Sequence, residues 1–144
     1  MIGAEFIGYS HVLVCGLLEV GTLIHSLGTI SNSFLTESSS TGSNAVLDSI
    51  SSAMLLPNAG IRLAAAWCLR CIAIAVPSQL TPLLDWSMTK LKELKSSPEA
   101  IVGYSHLLAA LVGAVSHCPL GIPSAKGHVS AILPKQLLVY YYFV

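Results

Sequence analysis

Residues 57–73 read PNAGIRLAAAWCLRCIA, and this stretch decides the fold that the sequence predicts. A Pro-Asn turn leads into a long apolar run, which predicts a helix over 60–76. Two apolar stripes run along this helix, so we expect it to be buried on two sides. Arg62 lies in its first turn, where the positive end of the helix dipole disfavours a cation by about a few tenths of a kcal/mol. We therefore expect groups outside the helix to hold Arg62.

The rest of the chain also predicts helices separated by turns, because it lacks the period-2 alternation of half-buried strands. Further helices are expected over 4–27, about 44–55, about 80–95, and from Pro98 to about His117. The sequence therefore predicts an all-α protein.

Prolines and capping residues mark the predicted helix ends. Pro77 stops the helix of the decisive stretch. Ser78 or Thr81 is expected to cap the next helix, with Pro82 in its first position.

The last predicted helix has the strongest start signal in the chain. Ser97 is a favoured N-cap residue, Pro98 fits the first helical position, and Glu99 suits the first turn. One face of this helix carries small or polar residues only: Glu99, Gly103, His106, Ala110, Gly113 and His117. Small residues along a helix face predict that another helix approaches closely there.

The predicted organisation is a repeat architecture. It consists of a helix of a preceding repeat (1–28), a flexible Ser/Thr-rich loop (29–43), two HEAT-like helix pairs (44–77 and 78–123), and a divergent apolar tail (124–144). The helix starts at Gly60 and Pro98 lie 38 residues apart, and the units of HEAT and armadillo solenoids run roughly 40–47 residues. The fold class we predict is an α-solenoid of about five helices with an irregular C-terminal tail.

The composition is unusually poor in charge. Only 10% of the 144 residues are charged, seven basic residues balance seven acidic ones, and ordinary soluble domains carry roughly 25% charged residues. Nucleic acid is not an expected partner, because phosphate binding needs clustered Lys and Arg. Either the chain enters a membrane, or other protein covers its surfaces. The membrane hypothesis is a small integral membrane protein anchored by residues 100–122, which carry no formal charge.

No constellation of residues predicts catalysis or a cofactor. Cys68 and Cys71 form a CxxC, and His117 and Cys118 are further potential zinc ligands, but this CxxC lies within a predicted helix, and buried thiols are common in cores. The chain has three Ser-His dipeptides: Ser10–His11, Ser105–His106 and Ser116–His117. Neighbouring residues on a helix do not face each other. We therefore expect no catalytic residue, no metal, no cofactor and reduced cysteines.

The decisive stretch resembles the second helix of a HEAT repeat. The matching features are a Pro-Asn turn, an aliphatic residue followed by arginine, a small-residue run, and two later aliphatic residues. The signature residues we assign are Asn58, Arg62, Ala65, Trp67, Leu69 and Pro98.

The HEAT resemblance implies a role for Arg62. In that family the arginine reaches the loop between helices and ties neighbouring repeats together there, so carbonyls or a carboxylate of an adjacent repeat would hold it. The family pattern usually places an Asp six residues before the arginine. Leu56 occupies that position here. Asn58 is its partial substitute, and Asp48 is a further potential partner.

Two longer blocks, RLAAAWCLRCIAIAVPSQLTPLLD (62–85) and KSSPEAIVGYSHLLAALVGAVSHCPLGIP (95–123), extend the resemblance. They are similar to one region of the HEAT-repeat-containing protein 5 family, which are very large solenoid proteins. The resemblance covers roughly residues 5–127 and does not continue from about His128. We therefore expect a truncated fragment or a short isoform of such a protein.

This resemblance implies a non-catalytic scaffold in membrane traffic from endosomes to the trans-Golgi network. The implied partners are a clathrin adaptor complex, aftiphilin and gamma-synergin. The implied location is cytoplasmic and peripheral on endosomes, the trans-Golgi network and clathrin-coated vesicles. Because surfaces that would meet absent repeats are apolar, we also expect the chain to self-associate.

Overall fold

A computed structural model describes residues 2–31 and 45–118, with side chains for 8–31 and 46–118. This part of the chain contains five α-helices, and no strand occurs in it. The helices are α1 (Ile2–Leu27), α2 (Ala45–Ala53), α3 (Ala59–Ala75), α4 (Leu80–Glu93) and α5 (Pro98–Val115). Short 3-10 turns lie at Gly28–Ile30 and Pro77–Gln79. The predicted all-α class and the five helices are confirmed. Most of the predicted loop at 29–43 and the tail at 124–144 lie outside the described residues.

Side-chain caps fix the starts of α3 and α5. The Asn58 Oδ1 accepts a hydrogen bond from the Ile61 N–H at 3.2 Å. The Ser97 Oγ accepts one from the Ala100 N–H at 3.3 Å, and Pro98 occupies the first turn. Each bond satisfies one of the amide groups that the first turn of a helix leaves unpaired. The predicted start of the last helix is therefore confirmed.

The start of α4 differs from the prediction. The chain passes from Pro77 through a 3-10 turn directly into a helix that begins at Leu80, and its N-cap residue, Gln79, makes no side-chain capping bond. Neither Ser78 nor Thr81 is the N-cap residue, and Pro82 lies in the third helical position. A 3-10 turn supplies its own i→i+3 hydrogen bonds, which replace the side-chain cap that the sequence led us to expect.

Three of the helices, α1, α3 and α5, run parallel to one another. A Cβ built at Gly21 of α1 would meet the Trp67 ring of α3, and Val14 of α1 lies near Gly60 at the start of α3. In both pairs the two residues are 46 apart in sequence, so the residue numbers increase in the same direction along both helices. Since α3 makes extensive contact with both α1 and α5, it lies between them.

The contacts of α3 with α5 also show residue numbers that increase in the same direction along both helices. The Arg62 Cδ lies 3.2 Å from a Cβ built at Gly103, and the Arg70 Nε lies 3.8 Å from one built at Gly113. These pairs are 41 and 43 residues apart in sequence. Beyond the end of α5, the Cys118 Sγ lies 3.8 Å from the Ala73 carbonyl oxygen, a separation of 45 residues.

The shorter helices α2 and α4 complete two helical hairpins. A short turn joins α2 to α3 and another joins α4 to α5, and in each pair the two helices pack side by side. In the second pair the Trp86 ring meets the Tyr104 ring edge to face, with ring centroids 5.1 Å apart. The fully buried large side chains come mainly from α3, α4 and α5: Leu69, Ile72, Leu80, Leu84, Tyr104, Leu107 and Leu111. The core of the described chain therefore centres on α3 and the hairpin that follows it.

Candidate functional site

Arg62 is held by the turn that precedes its own helix. Its Nη1 donates hydrogen bonds to the carbonyl oxygens of Leu56 and Pro57, both at 2.7 Å. The side chain is only 7% exposed. Hydrogen bonds from a charged donor are the stronger kind, so they offset both burial of the cation and its position in the first turn. The prediction that groups outside the helix hold Arg62 is confirmed.

The predicted source of these groups was wrong. The carbonyls belong to the turn between α2 and α3, and not to an adjacent helix pair. Asp48 is exposed, and within the described residues it forms no ion pair with Arg62. Leu56, which stands where the HEAT pattern usually has Asp, contributes its backbone carbonyl instead. Asn58 caps α3 and does not bind the guanidinium in the described part of the chain.

Arg62 also lies against the next helix pair through its aliphatic stem. A Cβ built at Gly103 of α5 would lie 2.5 Å from the Met54 carbonyl oxygen and 3.2 Å from the Arg62 Cδ. Only a glycine lets α5 approach the α2–α3 turn this closely. His106 lies one turn further along α5, and burial, followed by the nearby Arg62 cation, lowers the pKa of His106. Arg62 therefore joins the α2–α3 turn by hydrogen bonds and α5 by packing.

The other signature residues do not converge on one site. Ala65 and Leu69 are fully buried in the core, Trp67 packs against Gly21 of α1, and Pro98 lies in the first turn of α5. They position helices against each other, and no cleft brings them together in the described chain.

The cysteines of α3 are core residues in this structure. Cys68 and Cys71 are buried, and burial raises the pKa of both thiols, that of Cys68 to about 12. Burial also raises the pKa of the Cys118 thiol, which lies near the Ala73 carbonyl oxygen. A protonated thiol is neither a good nucleophile nor a good metal ligand. Within the described chain, no three His, Cys, Asp or Glu side chains come close enough to hold a metal ion together.

In two of the three Ser-His dipeptides, the hydrogen bonds of the described chain join other residues. The Ser116 Oγ donates to the Gly113 carbonyl oxygen at 3.1 Å. His11 turns toward Cys15, with its Nε2 3.7 Å from the Cys15 Sγ, whereas Ser10 is buried. These local bonds follow helical spacing, as adjacent positions on a helix require.

An exposed apolar surface on α1 is the feature that the sequence analysis missed. We call it the outer apolar face of α1, and it consists of Tyr9, Val12, Leu13, Gly16, Val20 and Leu23. Tyr9 is 72% exposed, Val12 67% and Leu23 59%. The face borders an open groove of about 590 Å³ between α1 and α2, whose lining on the α2 side includes Val46, Ile50 and Ala53. Apolar residues recur on two sides of α1, and the spacing alone did not show which side packs on α3.

Two helices of the described chain, Gly8–Ile30 and Pro98–Val115, are long and apolar enough to cross a membrane by length and composition. Their best windows have mean hydropathies of 1.6 and 1.4, with 11% and 39% of the window residues buried within the protein. Core helices of soluble proteins pass the same criterion, so this finding is weak evidence for a membrane span.

No protein-family model matches the chain, and no solved structure is significantly similar to it. The resemblance to the HEAT-repeat-containing protein 5 family thus stays a prediction from the sequence.

Proposed function

We propose that this chain is a non-catalytic helical-repeat scaffold of the HEAT type. The observation that carries the proposal is the register of α1, α3 and α5. Residues that meet at the same height along these neighbouring helices are between 41 and 46 residues apart in sequence. HEAT and armadillo units of roughly 40–47 residues, stacked one on the next, have this spacing.

The helical hairpins support the same proposal. In each, a shorter helix packs beside one of the parallel helices, so that α2–α3 and α4–α5 correspond to two repeats and α1 to the second helix of another. Arg62 supports it in a modified form, because it bonds the turn within one hairpin and packs against Gly103 of the next. A scaffold of this kind acts by presenting helical surfaces to other proteins.

The cellular role that we propose is traffic between endosomes and the trans-Golgi network, in association with a clathrin adaptor complex, aftiphilin and gamma-synergin. This part rests on the sequence resemblance. The absence of a charged cluster is compatible with protein partners and does not favour nucleic acid.

Co-immunoprecipitation from cells tests the cellular role. The tagged chain should recover aftiphilin, gamma-synergin and the clathrin adaptor complex, and should colocalise with clathrin-coated vesicles. A Leu69→Asp variant is the matched negative control, because an unpaired charge at a fully buried position unfolds the core. Equal recovery of these partners by both forms, or recovery by neither, would contradict the role.

The alternative is a small membrane protein anchored by residues 100–122. It is favoured only by the hydropathy of α5, whose most buried residues, including Tyr104, Leu107 and Leu111, already pack within the protein. Carbonate extraction of cell membranes separates the two hypotheses. The scaffold should be released into the supernatant, and retention in the pellet would favour the anchor.

A further inference from the structure

The N-caps of α3 and α5 allow the residues of the two helices to be matched. Asn58 and Ser97 each accept a hydrogen bond from the amide three residues later. Counted from its cap, each helix buries its third, seventh, eleventh and fourteenth residues, which share one face because they are three or four apart. We call this the hairpin face. Its residues are Ile61, Ala65, Leu69 and Ile72 of α3, and Ala100, Tyr104, Leu108 and Leu111 of α5.

The hairpin face carries the preceding helix of each hairpin. On α5, Tyr104 meets Trp86 of α4 edge to face. On α3, the face belongs to the core to which α2 contributes Ile50 and Ala53. The helices α2 and α4 therefore form a second layer, in which each helix runs antiparallel to the helix that it covers.

The contacts of α1 with α3 show where the hairpin face of α1 lies. On α3, each of the two arginines turned to α5 directly follows a hairpin-face residue. On α1, Val14 and Gly21 are turned to α3, and the residues directly before them are Leu13 and Val20. Because each step along a helix turns by the same angle, Leu13 and Val20 lie on the hairpin face of α1. Both belong to the outer apolar face.

This face is open on α1 within the described chain, although α3 and α5 bury theirs. Leu13 is 46% exposed and Val20 is 37% exposed. Gly16 lies between them, and a Cβ built there meets nothing within 4 Å. All three residues line the groove between α1 and α2. The groove therefore continues the layer of α2 and α4 by one helix position.

The lining of the groove indicates what kind of helix fits it. No charged side chain lines the groove, so its occupant must offer an apolar stripe of residues three and four apart. Gly16 lets the backbone of such a helix approach closely. Within this chain α4 has the matching chemistry, because Leu83 and Leu84 are buried while Lys92 and Glu93 are exposed.

We propose that this groove binds a short amphipathic helix of a partner protein, antiparallel to α1, as α4 lies on α5. In this position the helix contacts α1 and α2 at once and covers the face that both hairpins already cover. Continuity with the layer of α2 and α4 is what favours such a helix. The binding site rests on the repeat register of the proposed scaffold, and it does not depend on the role in membrane traffic.

Fluorescence polarisation with a fluorescein-labelled peptide tests the groove. The peptide has the sequence of residues 78–95, which include α4, and is stapled on its polar side so that it stays helical. We expect saturable binding of one peptide to the whole chain. A scrambled peptide of the same composition should not bind.

Two exposed leucines of α1 supply the matched variants. Leu13→Glu places a carboxylate in the groove and should weaken peptide binding at least about tenfold. Leu18 is 42% exposed but does not line the groove, so Leu18→Glu should leave binding within about twofold of the original affinity. Circular dichroism verifies folding of both variants, which we expect to persist because both positions are exposed.

A nitroxide on either end of the peptide reports its direction, because it broadens nearby amide signals in NMR spectra of the chain. In the antiparallel arrangement, a label on the peptide N-terminus broadens signals near Leu27. A label on the peptide C-terminus broadens signals near Tyr9.

Several results would overturn the binding site. They are no saturable binding up to about 1 mM peptide, binding of the scrambled peptide, equal affinities of the Leu13→Glu and Leu18→Glu variants, and the opposite broadening pattern. A dimer of the chain that Leu13→Glu dissociates and the peptide does not would assign the groove to a second copy instead. Because the traffic role is read out by recovery of its named partners, the two proposals can fail separately.

Discussion

The two parallel neighbours of α3 differ in how much of their apolar surface they bury. In α5, 39% of the most apolar window is buried, since the helix packs against both α3 and α4. In α1 the corresponding figure is 11%, since the helix packs mainly against α3. The two helices have similar hydropathy, so partners, and not composition, set this difference.

A helix with two apolar sides therefore needs two partners to bury both of them. In α5, Tyr104 and Leu107 belong to the hydrophobic core, to which all five helices contribute. In α1, Ile24 is buried while Tyr9 and Leu23 stay exposed. We therefore expect the stability of the chain to depend strongly on α3 and α5, and weakly on the outer apolar face of α1.

The largest expected difference is between a core leucine and an exposed one. Leu69 is fully buried at the centre of α3, so Leu69→Ala should lower the free energy of unfolding by about 2–5 kcal/mol. Leu23→Ala on α1 should change it by less than about 0.5 kcal/mol when measured on the monomer. Urea unfolding followed by circular dichroism gives both values. Comparable losses for the two variants would show that α1 is as deeply packed as α3.

The second-largest expected effect on the free energy of unfolding is the loss of the Arg62 hydrogen bonds. Arg62→Met keeps the aliphatic stem but leaves the Leu56 and Pro57 carbonyls without their donor, so we expect a loss of about 2–3 kcal/mol. Arg70→Met is the matched control on the same helix. Arg70 is half-buried, and no carbonyl of the described chain holds it as Leu56 and Pro57 hold Arg62. Chemical unfolding of both variants is the measurement, and equal losses would remove the special role of Arg62.

Two glycines of α5 give the third contrast. Gly103→Ala places a Cβ 2.5 Å from the Met54 carbonyl oxygen, which should cost about 1–3 kcal/mol despite the better helix propensity of alanine. Gly113→Ala meets only the Arg70 Nε, at an ordinary 3.8 Å, and should stabilise the chain by about 0.5–1 kcal/mol. Thermal unfolding should therefore shift in opposite directions. A stabilising Gly103→Ala would mean that α5 does not approach the α2–α3 turn this closely.

Much of this packing could be predicted from local sequence signals. The C-terminal end of α3 follows from Pro77, and the start of α5 follows from Ser97 and Pro98, because these residues act on the backbone within one turn. The small-residue face of α5 predicted close approach by another helix, and Gly103 makes such an approach to the α2–α3 turn. The proline and capping signals lie within a few residues of their effects, whereas the glycine signals close approach without naming the partner.

The holders of Arg62 and the outer apolar face of α1 could not be predicted in the same way. The Leu56 and Pro57 groups that bind Arg62 are backbone carbonyls, which every residue carries, so no side-chain type marks them. Asp48 was the more visible partner in the sequence, yet it stays exposed. For α1, the residues that pack on α3 and those that stay exposed are equally apolar, and only the tertiary contacts separate them.

The smallest of these effects is a dependence of stability on pH that arises at the α3–α5 contact. Burial and the Arg62 cation lower the pKa of His106 below its ordinary value of 6.5 in the folded chain. The unfolded chain therefore binds more protons, so stability is complete above pH 6.5 and falls as the pH drops below 6.5 towards the folded-state pKa. His106→Gln removes the titrating group, so its urea midpoint should change less than that of the original chain between pH 7 and pH 5. Since the exposed Lys90–Glu93 pair is present in both proteins, the difference between their slopes isolates His106. Identical slopes would indicate that His106 is solvated and distant from Arg62. They would then contradict the contact between Arg62 and α5.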